Sequence, residues 1–118
     1  GLVFNVKDKG LVAVTGCCHM GIISFLQEIK RRVKGGDKIF GIQGGLHISP
    51  FEEWDPQYDD LILALPEYGV EIIGCNHCTG YLTAEKMIKA GLPVVKGTAR
   101  FKSKKPLFLG NGDVLKFC

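Results

Sequence analysis

The stretch Gly10-Leu11-Val12-Ala13-Val14-Thr15-Gly16-Cys17-Cys18-His19-Met20-Gly21-Ile22 decides how this chain is read. Leu11 to Thr15 is a short, nearly all-apolar run, as in a strand buried on both faces. It breaks into a Gly-Cys-Cys-His turn. Beyond the turn, Ile22, Ile23, Phe25, Leu26, Ile29 and Val33 fall at helical spacing, and Glu28, Lys30, Arg31 and Arg32 fill the other face. Strand, turn and helix in succession are the unit of a layered α/β fold. Such sheets bind ligands outside the carboxyl ends of their strands, where this turn lies.

Two further turns have the same character. Gly44-Gly45-Leu46-His47 follows the apolar Ile39-Phe40-Gly41-Ile42, and Cys75-Asn76-His77-Cys78-Thr79-Gly80 follows Val70-Glu71-Ile72-Ile73-Gly74. All three histidines and four of the five cysteines thus sit where a strand runs out into a loop. Imidazole and thiolate suit zinc or iron, so a metal site at the sheet edge is expected. Cys75 and Cys78 match one zinc knuckle, but no second Cys-x-x-Cys or His-x-x-x-His closes it. A closed structural site from Cys17 or Cys18, His19, Cys75 and His77 is one arrangement. An open catalytic site accounts better for three histidines in glycine-rich turns. His77, His19 and His47 read as functional, against the plainer reading of satisfied polar residues. Cys17 reads equally as ligand or core. Cys18, Cys75 and Cys78 read as structural thiols, since free Cys is a small buried hydrophobe. Trp54 and Tyr58 form either a substrate lid or loop packing.

The remaining elements follow in order. Leu2 to Val6 and Leu11 to Thr15 make a hairpin about the turn Lys7-Asp8-Lys9-Gly10. Gly35-Gly36 ends the first helix. Lys38 to Ile42 is a third strand, and the segment from Ser49 to Tyr58 is irregular, with an exposed-looking Trp54. A second helix runs from about Pro56 to Leu65, leaving through Tyr68-Gly69. Val70 to Ile73 is a fourth strand. Thr83 to Ala90 is a third helix, with Thr83 as its cap and Gly91 as its end. Pro93 to Val95, Thr98 to Phe101, Pro106 to Leu109 and Val114 to Phe117 read as short strands, the last two joined by the hairpin-type turn Asn111-Gly112-Asp113. The expected order is ββ-α-β-α-β-α-β with a β tail.

Composition sets the outer bounds. At 118 residues the chain is a single domain, and its 46% apolar and 23% charged residues are those of an ordinary globular protein. A net charge of +3, with both signs interspersed, argues against nucleic acid as a partner. The one basic cluster, from Arg100 to Lys105, reads as a solvated loop. No apolar run approaches the ~20 residues of a membrane span, and no signal peptide is visible, so no membrane partner is expected. Five cysteines without a spaced disulfide framework fit reduced thiols in the cytoplasm. Gly1 runs straight into a strand-like segment and Cys118 directly follows another, so a piece of a larger fold is expected.

The motifs also carry a resemblance. Gly10 to Ile22 resembles the "GLVVLTGCSHAGI" segment of a metallo-β-lactamase-fold subfamily, which includes the archaeal dihydropterin–ribofuranosylaminobenzene phosphate synthase. Gly44-Gly45-Leu46-His47-Ile48 resembles its "GGFHL" segment, and His77-Cys78-Thr79-Gly80 its "HCTG" segment. Gly97 to Phe101 is similar to the family's closing strand. The motifs come in order and span nearly the whole chain, but only the C-terminal half of that fold. The resemblance implies half of an αββα sandwich, a mixed sheet with helices on one face and a metal site at one edge. It implies a metal-dependent hydrolase of ester, amide or phosphoester substrates, with a metal-bound hydroxide as nucleophile. Carried onto this chain, His77, His19 and Cys17 are metal ligands. His47 is a ligand or a catalytic hydrogen-bond donor to a phosphate or oxyanion. The cofactor is a divalent metal, zinc before manganese or iron, and the substrate a small molecule, phosphorylated in some members.

The family's His-x-His-x-Asp-His motif is absent from these 118 residues. The chain therefore reads as a half-site, inactive alone, whose sheet leaves one apolar face uncovered. That reading calls for a homo-oligomer or a separate N-terminal half. The alternative is a non-enzymatic, thiol-rich metal-binding or redox module built on Cys75 and Cys78. Against it, redox Cys-x-x-Cys pairs open a helix, and here the helix is expected later, near Thr83.

Overall fold

The first hairpin forms where its turn chemistry places it. In the computed structural model, which describes residues 1–102 and 106–118, β1 (Leu2–Val6) pairs antiparallel with β2 (Gly10–Val14). Leu2 stands opposite Val14 and Val6 opposite Gly10. Leu11, Val12 and Ala13 are at most 3% exposed, as a central strand requires. β3 (Ile39–Gly44) lies parallel to β2, and β4 (Ile72–Cys75) parallel to β3. The result is a mixed sheet in the order β1-β2-β3-β4. The parallel pairs are joined by α1 (Ile22–Arg32) and α2 (Gln57–Ala64), the latter continued by a 3-10 turn at Leu65–Tyr68. The expected α/β class is the observed one. α3 (Tyr81–Lys89) follows β4.

The helices pack where their apolar positions coincide. Ile22, Leu26 and Ile29 of α1, Ile62 of α2, and Ala84 and Met87 of α3 form one buried cluster with Leu11, Ala13, Ile42 and Ile73 of the sheet. Each fully buried Leu or Ile contributes about 1.5–3 kcal/mol. On the outer face of α1, Glu28 pairs with Arg31 and Arg32. That helix ends at Val33, which is already extended, just ahead of the glycine pair.

Several expected boundaries move. β3 runs two residues further, to Gly44, and β4 spans Ile72–Cys75 instead of Val70 to Ile73. The pairs Gln43–Gly74 and Gly44–Cys75 carry the ladder into the glycine turns. Thr83 is not a cap. It lies inside α3, fully buried, and its hydroxyl donates to the Ile48 carbonyl at 2.9 Å. The N-terminal amides of α3 are met instead by Glu52, whose carboxylate accepts from Tyr81 N–H at 2.6 Å and Leu82 N–H at 2.9 Å. Trp54 is half-buried, edge-on to Tyr58 at 5.4 Å, with the Lys86 ammonium 4.5 Å above its ring. Both aromatics pack against the core, so loop packing is the geometry they show.

The β tail does not form among the described residues. Val94 makes a single bridge with Ile73, Arg100–Lys102 is a 3-10 turn, and Pro106 to Leu109 and Val114 to Phe117 join no ladder. Ser103, Lys104 and Lys105 of the basic cluster lie outside the described residues. The tail fails to pair because it crosses the face of the sheet. A Cβ on Gly41 would lie 2.6 Å from the Phe117 ring, and one on Gly74 would lie 2.5 Å from Leu115 and 2.7 Å from Leu109. Leu115 and Phe117 are half-buried while Val114, Lys116 and Cys118 are exposed, the alternation of an extended segment. The sheet face expected to be bare is thus glycine-rich and carries the tail. The Asn111–Asp113 turn joins no strands. It is closed by the Asp113 carboxylate, which accepts from Gly110 N–H at 2.9 Å and from the amide and hydroxyl of Thr98.

Candidate metal centre

Parallel pairing of β2, β3 and β4 brings all three His turns to one edge. Backbone and hydroxyl hydrogen bonds then tie them together. The Gly45 amide donates to Gly16 O at 2.9 Å, and Thr15 Oγ1 donates to Gly45 O at 2.7 Å. The Leu46 amide donates to Thr79 Oγ1 at 2.9 Å, and the Gly80 amide to Ile48 O at 3.0 Å. Gly45 is needed for this approach: a Cβ there would lie 2.5 Å from Gly16 O and 2.6 Å from Cys78 Sγ. Each turn also holds a non-glycine residue at positive φ: Cys18 at 58°, His47 at 52° and His77 at 57°. Such conformations cost about 1–3 kcal/mol each and persist where surroundings enforce them.

Two groups of donors result. In the first, the donor atoms of Cys17, His77 and Cys78 all lie within 4.8 Å of one another. Cys17 Sγ stands 3.4 Å from His77 Nδ1, and the Cys78 thiol donates to Cys17 O at 3.1 Å. Standard zinc bond lengths and tetrahedral angles give ligand–ligand edges of about 3.5 Å for N–S and about 3.8 Å for S–S. The Cys17–His77 spacing is close to the N–S edge of a tetrahedral site. In the second group, the rings of His19 and His47 lie 4.3 Å apart, tilted by 36°. His19 is exposed. His47 is half-buried, and its Nδ1 is buried without a hydrogen-bond partner among the described residues. The groups share the same turns, which the Gly45–Gly16 and Leu46–Thr79 hydrogen bonds tie together.

The thiols differ in environment. Burial raises the Cys78 pKa, partly offset by the His47 amide, and the Cys17 sulfur raises it further. Burial, then Cys78, raises that of Cys18. Burial pushes Cys75 to about 11, and its side chain belongs to the core cluster. Of the residues expected at the site, the structure joins Cys17 to His77, and His19 to His47, as two neighbouring pairs. Cys78, read from sequence among the structural thiols, stands with the first pair. Its signal was adjacency to a histidine in a tight turn. Left-handed backbone at His77 breaks the extended alternation and lets residues 77 and 78 face the same donor group.

No protein-family model matches the chain. Over 82 residues it is 35% identical to the 7,8-dihydropterin-6-methyl-4-(beta-D-ribofuranosyl)-aminobenzene-5'-phosphate synthase of Methanocaldococcus jannaschii, a match covering 70% of this chain and 26% of that protein. Its structure matches the crystal structure of a metal-dependent hydrolase of the β-lactamase superfamily with a TM-score of 0.67 and 30% identity. That match covers 78% of this chain and 34% of the hydrolase. The chain carries part of the β-lactamase-superfamily fold. It spans only 26% and 34% of the length of these two relatives. The solved neighbour is a metal-dependent hydrolase, whereas the curated relative is a synthase. No described helix is long and apolar enough to cross a membrane.

Proposed function

We propose that this chain supplies the C-terminal part of a metal-dependent hydrolase site acting on an ester, amide or phosphoester. The observation that carries this reading is the convergence of Cys17 and His77 beside the His19–His47 pair at one sheet edge. Cys17 and His77 hold the ion, and His19 is the further ligand on this reading. A divalent ion there, zinc before manganese or iron, supplies Lewis acidity and brings the pKa of water towards neutrality. His47 offers a nitrogen with no internal partner, suited to holding a proton or donating to a developing oxyanion or phosphate. The buried walls around the turns, Leu46, Ile48 and Thr79, keep bulk water from the inner side of the site. The substrate is a small molecule, and a phosphate on it would give His47 an anionic partner. A cytoplasmic setting suits the free thiols. A second copy of the chain, or a half bearing His-x-His-x-Asp-His, completes the site.

The test is metal content and turnover of the purified chain under reducing conditions. About one equivalent of bound divalent metal is expected, lost in His77→Ala, with negligible hydrolysis of ester and phosphodiester probes by the chain alone. Absence of any metal affinity would overturn the reading. Full turnover by the isolated monomer would overturn its half-site part. The proximity of Cys17 and Cys78 favours one other reading, a thiol-based metal-binding or redox module. That module would keep its metal in His77→Ala and lose it in a cysteine variant.

A further inference from the structure

We infer that Cys78 is a metal ligand, so that Cys17, His77 and Cys78 form a two-thiolate, one-imidazole site for a soft divalent cation, zinc or ferrous iron. The inference rests on the metal reading above and goes beyond it in ligand set and metal class. It places three protein ligands of the ion within this chain.

Two observations carry it. The three donor atoms lie within 4.8 Å of one another, and the Cys17–His77 edge of 3.4 Å is already close to that of a tetrahedral zinc site at about 3.5 Å. The Cys78 sulfur is held on this side by its contact with Cys17 O and by the close approach of Gly45. A cysteine that merely filled space would not need a histidine nitrogen and a second sulfur gathered around it. Binding displaces the two thiol protons to solvent, leaving two thiolates and a neutral imidazole on the ion. That donor set selects zinc or ferrous iron over magnesium or manganese. Three protein ligands leave a fourth position open, as catalytic zinc sites do.

Cobalt(II) loading of the full chain under reducing conditions tests this, because thiolate ligands give a charge-transfer band in the near ultraviolet. Cys78→Ser is expected to keep cobalt and lose about half of that band, and Cys17→Ser the same, since each removes one of two soft donors. His77→Ala should take up no cobalt and show no band, in keeping with the loss of metal expected of that variant. Cys118→Ser, at an exposed position, should change neither. A cobalt-loaded Cys78→Ser protein with the full band would overturn the inference and leave the metal reading standing. A wild-type chain that takes up neither cobalt nor zinc would overturn both. Should Cys78→Ser fail to fold, X-ray absorption of the zinc-loaded wild-type chain counts the sulfurs directly. Two sulfurs support the inference, and one or none sinks it.

Discussion

Cys75 and Cys118 mark the extremes of thiol environment in this molecule. Cys75 is fully buried with its pKa pushed to about 11, and Cys118 is exposed. Only the thiolate reacts with an alkylating agent. In a native alkylation time course at neutral pH, Cys118 should be modified early and Cys75 last, only as the fold opens. Mass spectrometry of peptide fragments checks the order, and early labelling of Cys75 would contradict its place in the core. Asp113 gives the pH counterpart. The Thr98 hydroxyl, then the Gly110 amide, hold its carboxyl below the ordinary value of 3.8. A folded-state pKa below the unfolded one means that the ionised form stabilises the turn above the ordinary value. That contribution fades as pH falls through the lower folded value. The Thr98 and Gly110 amide resonances should therefore shift together at acid pH, below the usual Asp range. In Asp113→Asn the shared transition should disappear.

At the scale of elements, the N-terminus of α3 shows what sequence can and cannot locate. The apolar periodicity of the helix was legible, because Ala84 and Met87 repeat on one face. Its start was not. Thr83 has the chemistry of a cap, but the amides are met by Glu52, some 30 positions earlier in the chain. A cap supplied across a loop leaves no local signature. Glu52→Ala should destabilise the fold by about 1 kcal/mol, the usual worth of a cap, read as a lower midpoint in urea. An unchanged midpoint would mean that solvent satisfies those amides equally well. The site was legible to a similar depth. The three turns could be read from sequence because each couples a glycine to a histidine at a strand end. The division of their side chains into a Cys17–His77–Cys78 group and a His19–His47 pair could not, since it depends on positive φ at three non-glycine residues.

Across the whole molecule, the tail is where local reading and global packing part. Alternation from Val114 to Phe117 signals extended chain correctly, yet extended chain needs a free edge to become a strand. Here Phe117 and Leu115 settle on Gly41 and Gly74, two positions whose lack of a side chain makes room for them. Phe117→Ala should cost about 2 kcal/mol, below the 3–5 of a fully buried aromatic because the ring is only half-buried. Denaturant unfolding measures this, and a loss below a few tenths would mean that the tail rests on the sheet without holding it.

The order β2-β3-β4 has a consequence for assembly of the donor group. Cys17 and His77 are 60 positions apart and leave the ends of strands that do not touch, since β3 lies between them. Their meeting point exists only once β3 has been inserted and both crossovers are closed. Anything held there is gripped by native chain alone and acts as a removable clasp across half the polypeptide. At a free concentration one hundred times its dissociation constant, such a ligand would add about 2.7 kcal/mol to the unfolding free energy by mass action. The thermal midpoint of the chain is then a gauge of its occupancy, readable without any assay of turnover.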